Sequence, residues 1–520
     1  MTSGTPARPR PSDVLLVAAL VAVAGASAWP LWAVRHLPLV DYPNQLANAA
    51  VAARLGDASF HLATFFEAPR WPLPYLGWVW PVRALGAAIG IEWAAKVWLT
   101  LAVAAFPVGT ALLARQLGRS PWLGLFAAPL ALSDALQRGF VSFVGGAALL
   151  PFALVALDRA LESPTARRLG ALAAATLGLY CLHVLPWLLF GVVATAWVKL
   201  AAWAPLRDGR RRARAAVLAT VAMLPSVVVG VIAFRLARAG GTSVVDAPLA
   251  LDGRYEPLVD RLTALPSRIL AGWATSGWTW VLLGLTAIWL ALLISARTDA
   301  HDTEAARAGH PLRLELAFLV ALVALLVLPE DVTRPVAWTV VASRFALFVA
   351  LFGALLPHGA LVGRRALILM LPVVTLAIGY PIALARAWRP ASARIAALRA
   401  LLRRVPRGES TLVHHGAPPT DAAMPPGLEP LRHLHAYALV DVGGDDPEAA
   451  EAGFPLHRRA DAPPRPPATL TADNLAAVRR AYRWIVARGP LGVDGTTAVE
   501  LVDRAGEWRL YRLLPEDRSP

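Results

Sequence analysis

The chain has 520 residues, 57% of them hydrophobic and only 16% charged, with a mean hydropathy of +0.52. A soluble domain averages about 45–50% apolar and about 25% charged, and here the apolar residues arrive in blocks of about 15 to 23, roughly one crossing of a 30 Å hydrocarbon layer. The sequence therefore reads as a polytopic membrane protein, which excludes a secreted disulfide scaffold, a disordered chain, a coiled coil and an ordinary cytosolic enzyme.

A net charge of +15 and a pI near 11.0 would suit a nucleic-acid binder. The distribution argues otherwise, and no nucleic-acid partner is expected. Lys96 and Lys199 are the only lysines, so 48 of the 50 basic residues are arginine. Up to residue 405 the chain holds 37 basic and 19 acidic residues, a balance of +18; the remainder holds 13 and 16, a balance of −3. The basicity belongs to the membrane part, where it reports orientation by the positive-inside rule. Cys181 is the single cysteine and lies in an apolar stretch, so disulfides, thiolate metal sites and cysteine catalysis are set aside.

The first apolar run, Val14 to Val34, follows an arm carrying Arg8 and Arg10 and so places the N terminus in the cytoplasm. The triplet Ala26-Ser27-Ala28 has the form of a signal-peptidase site, but the apolar run continues past it and further spans follow. Residues 35–74 form a first external loop, with a helix-compatible stretch from Pro43 to Gly56 and an aromatic, proline-rich stretch from Phe60 to Pro74. Further apolar segments run at roughly 75–90, 93–113, 121–136, 139–157, 169–182, 184–203, 215–236, 271–296, 312–329, 338–357 and 366–386. The loops Arg115–Arg119, Asp158–Arg168, Arg207–Arg214, Arg297–Arg313 and Gly363–Arg365 carry most of the arginines and are assigned to the cytoplasm. Parity then requires the 75–90 segment, broken by Pro81 and Arg83, to be re-entrant or interfacial. About 11 crossings result, with 12 and 13 as the neighbouring counts.

Beyond residue 387 hydropathy collapses, and Pro463, Pro464, Pro466 and Pro467 mark a linker. Strand-like runs occur at Tyr437–Val442, Ala498–Val502 and Trp508–Leu513, the last two joined by a turn at Arg504–Gly506, and Ala476–Val486 reads as a helix. The expected architecture is an all-α polytopic domain over 1–386, with about 11–13 transmembrane helices, followed by a small α+β extracytoplasmic domain over 387–520. That tail serves either as a lid or packing module or as part of a site. Multi-pass residence in a membrane follows, with the N terminus cytoplasmic and the C-terminal domain extracytoplasmic.

The most informative segment is His36-Leu37-Pro38-Leu39-Val40-Asp41-Tyr42-Pro43-Asn44-Gln45-Leu46-Ala47-Asn48. An acidic residue just past a membrane exit, followed by a proline-fixed helix start, holds a carboxylate close to the bilayer surface. Asp41 equally suits a helix cap ahead of Pro43, and the two roles are compatible. Arg138 and Arg344 fall at external helix ends, where each either snorkels or pairs with an acid such as Asp134 or Asp331, or else binds an anion. His183, between two apolar helices, is either a satisfied structural histidine or a substrate contact. Glu67, Glu330 and Asp331 are further external carboxylates, any of which suits a second acid or a ligand to a divalent cation such as Mg²⁺ or Mn²⁺; no cofactor is otherwise indicated. His414, His415, His433 and His435 read as surface residues of the tail. Phosphate-cradling glycine loops, zinc-type clusters, nucleophile elbows and dinucleotide fingerprints are absent from the sequence.

Asp41 to Gln45, Gly139-Phe140-Val141-Ser142-Phe143 and Tyr180-Cys181-Leu182-His183 together resemble the GT-C superfamily of integral-membrane glycosyltransferases, and among them a bacterial branch with an Asp-Tyr-Pro-Asn-His type motif, a Gly-Phe-x-x-Phe-type segment and an aromatic-rich helix near a His. The likeness extends to the long hydrophobic array with a soluble external C-terminal domain. It departs at Gln45, where the pattern carries His. The resemblance implies an inverting transfer from a polyprenyl-phosphate-linked sugar to an acceptor hydroxyl of a glycan, lipid or protein on the outer face. Asp41 would be the general base, and Tyr42, Asn44, Gln45, Arg138, His183 and Arg344 would contact substrate. Two other readings remain: a catalytically silent binder of lipid-linked glycan, for which Gln45 speaks, and a transporter or flippase, against which the lack of an internal repeat speaks.

Overall fold

The computed structural model describes residues 11–68, 72, 74–203, 209–239, 252–270, 277–298, 312–334, 338–357, 363–415, 431–446, 448, 457–491 and 498–514. Among these, six helices are long and apolar enough to cross a membrane: Ser12–Ala33, Ile91–Gln116, Val141–Glu162, Val184–Ala202, Gly209–Leu236 and Ile368–Leu402. Three shorter apolar helices, Leu76–Ile89, Leu283–Ile294 and Val341–Gly353, accompany them. The protein is thus a mostly helical, multi-pass membrane protein, with small sheets concentrated toward its C-terminal end. Val217, Val221, Val228 and Val231 are exposed along the Gly209–Ala239 helix, a surface suited to lipid rather than water.

The expected helix after Pro43 is present as Tyr42–Arg54. The 75–90 segment is the 14-residue helix Leu76–Ile89, short of the roughly 20 residues a crossing needs. The apolar run at 121–136 does not form one helix. It breaks into a 3-10 turn at Pro121–Phe126 and two single helical turns at Ala127–Leu130 and Asp134–Gln137, nearly all of it buried. Its apolarity suits a protein interior, and Pro121 and Pro129 interrupt regular helix. Most of the Arg297–Arg313 loop, residues 204–208 before Gly209, and Pro335 lie outside the described residues.

The chain divides into two compact units. The first comprises Met1–Pro30, Thr100–Ala135 and Phe143–Leu384; the second comprises Leu31–Leu99, Leu136–Ser142 and Ala385–Pro520. The expected start of the tail at residue 387 falls inside the helix Gly363–Leu402. That helix leaves its apolar run but continues as an amphipathic one, burying Trp388, Ser392, Ile395, Arg399 and Leu402 at helical spacing.

In the first unit, Arg313 and Asp158 form an ion pair with side chains only 1% and 2% exposed. Gln116 Nε2 donates to Asp158 Oδ2 at 2.7 Å, the Arg313 carbonyl accepts from Trp197 Nε1 at 2.9 Å, and the guanidinium lies 5.4 Å from the Trp197 ring centroid. Nearby, Arg119 Nη2 donates to Glu315 at 2.6 Å.

In the second unit, four strands form one sheet in the order Thr411–His414, Trp484–Arg488, Trp508–Leu513, Val499–Ala505. The first pair is parallel, with Thr411 opposite Trp484, and the others are antiparallel, with Trp484 opposite Arg512 and Val499 opposite Leu513. Leu412, Val478, Tyr482, Ile485, Tyr511 and Leu513 make its core. Two expectations are corrected here. Tyr437–Val442 is not a strand but the helix Ala436–Asp441, buried over Ala436–Val440, because an apolar run this short satisfies either period. The helix expected over Ala476–Val486 ends at Ala481, and Trp484, Ile485 and Val486, aromatic and β-branched, join the sheet.

Arg399 organises this unit. Its Nε and Nη2 donate to Asp441 at 2.7 and 2.6 Å, its Nη1 pairs with Glu92 and approaches His36 Nδ1 at 3.1 Å, and its guanidinium stacks 4.7 Å from the Tyr437 centroid. Burial first, and the Arg399 charge second, pull His36 down to about 3, so a neutral imidazole accepts from the guanidinium. His36 N–H donates to Ser392 Oγ at 3.0 Å.

The Arg313–Asp158 pair supplies the test of the first unit's interior. Removing one partner strands a buried charge at a cost of about 3–5 kcal/mol, whereas an apolar replacement of both is often neutral. Asp158→Leu is therefore expected to lower Tm sharply in detergent micelles, and Asp158→Leu with Arg313→Met to recover most of it.

Candidate functional site

Asp41 occupies the N-cap position of the Tyr42–Arg54 helix but does not cap it. Its backbone is in the right-handed region (φ −88°, ψ −3°) and its side chain accepts no capping hydrogen bond. A capping Asp is normally extended, so that its carboxylate reaches the N–H groups two or three residues on; here Pro43 has no N–H to offer. The carboxylate is left 29% exposed and lies 3.2 Å from His433 Nε2.

The backbone around Asp41 is fixed by residues 136–142. Val40 N–H donates to the Gln137 carbonyl at 3.1 Å and Asp41 N–H to the Arg138 carbonyl at 2.9 Å, while Gln45 N–H donates to the Asp41 carbonyl at 3.1 Å. Gly139, at φ +80°, makes this approach feasible: a Cβ there would lie 2.5 Å from the Tyr42 nitrogen and 2.6 Å from that of Asp41. Arg138 thus meets Asp41 through its main chain.

The other residues of the motif divide between packing and surface. Tyr42 is 2% exposed and packs edge-on against Trp78 at 6.5 Å. Burial and the neighbouring Tyr437 push its hydroxyl pKa up, and it stays neutral. Asn44 and Gln45 are half-buried; the Gln45 carbonyl accepts from Trp78 Nε1 at 2.9 Å, and Asn44 Oδ1 is buried without a hydrogen-bond donor among the described residues.

The tail histidines are not surface residues as expected. His433 is 23% exposed beside Asp41 and meets His435 edge-on with centroids 5.8 Å apart. His435 is buried, its Nδ1 2.7 Å from Asp446 Oδ2 and its Nε2 3.2 Å from Glu448. Burial lowers the His435 pKa, but the charge and hydrogen bond of Asp446, with Glu448, outweigh it and the net shift is upward. Burial and the neighbouring His435 pull His415 down to about 4. The His-x-His spacing of His433 and His435 was the available sequence signal, but nothing in the sequence links it to Asp41.

In the first unit, Arg344 stands in the opening turn of the Val341–Gly353 helix. Its Nη2 donates to the Thr339 carbonyl at 3.0 Å, its Nη1 lies 3.2 Å from His183 Nε2, and its guanidinium sits 5.7 Å from the Phe143 centroid. His183 is buried and edge-on to Phe143 at 5.4 Å. Leu185 N–H lies 3.1 Å from His183 Nδ1 and Arg344 Nη1 lies 3.2 Å from Nε2, so a neutral ring accepts from one of these two donors, according to its tautomer.

Glu330 and Asp331, expected as a second acid or as metal ligands, are engaged with that helix start. Glu330 accepts from Ser343 N–H at 3.1 Å and from its hydroxyl; Asp331 accepts from Val340 N–H at 3.0 Å and from Arg254 at 2.6 and 2.8 Å. They suit the positive end of the helix and hold Val340 at φ 56°, a strained setting for a β-branched residue. Asp331 is thus engaged by Arg254 and Val340. Among the described residues, no group of three His, Cys, Asp or Glu side chains is arranged to hold a metal ion.

No family model and no curated protein matches the chain. Similar solved structures are those of the Archaeoglobus fulgidus oligosaccharyltransferase. The form in complex with Zn and sulfate has a TM-score of 0.46 at 15% identity over 91% of this chain and 68% of that one. The apo form has 0.46 at 12% over 91% and 69%, and the form tethered to an acceptor peptide containing the NVT sequon has 0.44 at 10% over 91% and 69%. The likeness is one of distant architecture; the chemistry of this chain rests on its own residues.

Gly139→Ala should displace the Asp41 backbone, adding a clash to the roughly 1–2 kcal/mol cost of a left-handed non-glycine residue. Gly118→Ala is the control, since Gly118 has φ +71° but no atom within 4 Å of its Cβ position. The expected result is a markedly larger fall in Tm for Gly139→Ala. The raised pKa of His435 predicts stability that is fully present below pH 6.5 and is lost as pH climbs through the raised value. Thermal unfolding of wild type against His435→Gln across that range should show the loss in the wild type only.

Proposed function

We propose that the protein is a membrane glycosyltransferase that moves a sugar from a polyprenyl-phosphate-linked donor to an acceptor hydroxyl at the outer face of the bacterial inner membrane, with Asp41 as general base. The observation that carries this reading is the Asp41 carboxylate itself, placed at a helix N-cap, released from capping and partly open to solvent. An acid held by its backbone, with its side chain free of helix capping, is what a general base requires, and such a base contributes about 10²–10⁴ in rate.

The departing phosphate needs positive charge and N–H donors, and guanidinium suits a phosphate oxygen better than ammonium does. The Arg344 guanidinium, in the opening turn of its helix and beside His183, supports a role in holding that phosphate. Arg138, Asn44 and Gln45 remain proposed contacts to the sugar or acceptor. The reaction as proposed routes no step through a metal ion.

Membranes carrying the protein, supplied with radiolabelled polyprenyl-phosphate-linked hexoses and pentoses, should give labelled product. Asp41→Asn should reduce it by at least about 10²-fold at unchanged protein level; retained transfer would refute the reading. Arg344→Gln should raise the donor KM roughly 10- to 100-fold, the worth of a charge-assisted hydrogen bond. Donor bound tightly without product from any acceptor would favour the silent, binding-only alternative.

A further inference from the structure

We infer that His433 is a positioning residue for Asp41, holding one carboxylate oxygen so that the other is the oxygen presented to the acceptor hydroxyl. The inference rests on the reading of Asp41 as general base and extends it to the tail, which the sequence leaves as a lid or packing module. His433 Nε2 lies 3.2 Å from Asp41 Oδ1, and both side chains are partly exposed, at 23% and 29%, so the pair stays accessible.

The chemistry needs such a restraint. The terminal torsion of an aspartate is broad and two-fold, and Asp41 makes no capping hydrogen bond that would fix it. A donor on Oδ1 selects one orientation and leaves Oδ2 as the base. In the step, Oδ2 takes the acceptor's hydroxyl proton while that oxygen's electron pair forms the bond to the sugar carbon. The carbon–oxygen bond to phosphate breaks, and its electron pair leaves on the phosphate. His433 takes no part in the proton transfer or in the bond changes at the sugar carbon.

For a positioning role the imidazole must itself be held, and a chain of contacts within the tail does this. His433 packs edge-on against His435 at an interplanar angle of 73°. His435 is clamped through Nδ1 by Asp446 at 2.7 Å and approached at Nε2 by Glu448 at 3.2 Å. Asp446 is buried and also accepts from Glu448 N–H at 3.0 Å. The arrangement resembles the outer partners of a catalytic group, whose loss typically costs about 10- to 100-fold.

The test uses the full-length protein in nanodiscs with the labelled polyprenyl-phosphate sugar that wild type turns over, comparing His433→Leu, His433→Gln and Asp41→Asn at matched Tm. His433→Leu should lower kcat by about 10- to 100-fold with donor KM within twofold, and His433→Gln, whose amide N–H falls near the Nε2 position, should recover a substantial part. Wild-type kcat in His433→Leu, while Asp41→Asn is inactive, overturns the inference and leaves the base intact. Equal losses in Leu and Gln overturn it too, since they indicate packing alone. Full activity in Asp41→Asn removes the base on which the inference stands.

Discussion

Two backbone hydrogen bonds, from Val40 to Gln137 and from Asp41 to Arg138, set the position on which the proposed chemistry depends. Because main chain holds main chain, the Asp41 side chain is not consumed in placing it. The cost falls on position 139, which must be glycine both for its dihedral and for the space its missing Cβ leaves. A membrane protein has particular use for such an economy. Its apolar spans cannot carry unpaired polar groups cheaply, so chemistry gathers at helix ends and loops, where each polar side chain bound to structure is one fewer for function.

Arg399 plays the corresponding part for the rest of the second unit. A buried guanidinium is expensive unless its donors are met, and here Asp441, Glu92 and His36 meet them while Tyr437 covers the face. These partners come from the segment after the first apolar helix, from the helix Ile91–Gln116 and from the segment after residue 430, so a mismatched pairing of those segments would strand a charge. The network therefore does more for specificity than for net stability, and it gives the short helix Ala436–Asp441 a fixed place beside the helix Tyr42–Arg54. Gly443, at φ +92° and within 2.4 Å of the Phe60 carbonyl at its Cβ position, closes the same contact from the other end.

What the sequence made legible follows from the length scale of each signal. The long apolar helices were plain, because twenty residues of uniform character leave no competing reading. Trp508–Leu513 and Val499–Ala505 were legible as a hairpin, since alternation and the Arg504–Gly506 turn agree. Tyr437–Val442 was misread because its four consecutive apolar residues before Asp441 are too few to carry a period. The strand Thr411–His414 was missed for a related reason: its side chains are buried or half-buried, so no polar face alternates with the apolar one. The run at 121–136 misled in the opposite sense, being apolar for the interior and not for lipid. Asp41 and Arg344 could each be picked out as a charge at the end of an apolar run. His433 could not, because its partner lies nearly four hundred residues away and the pairing is a property of the tertiary fold. The capping role weighed for Asp41 was a sound local inference that the backbone conformation overrides.

That override has its own cause in the sequence. Proline at the second helical position fixes its dihedral for the helix and at the same time deletes one of the N–H groups a capping carboxylate would seek. The helix start is secured by the proline and by the Gln45 N–H bond to the Asp41 carbonyl, so the helix does not need the aspartate side chain. An alanine in place of Pro43 would restore that N–H and with it a competitor for the carboxylate. The Asp-Tyr-Pro order thus has a physical meaning beyond adjacency: tyrosine anchors the turn in the core against Trp78, proline pre-forms the helix without asking the acid for help, and the acid is left facing His433.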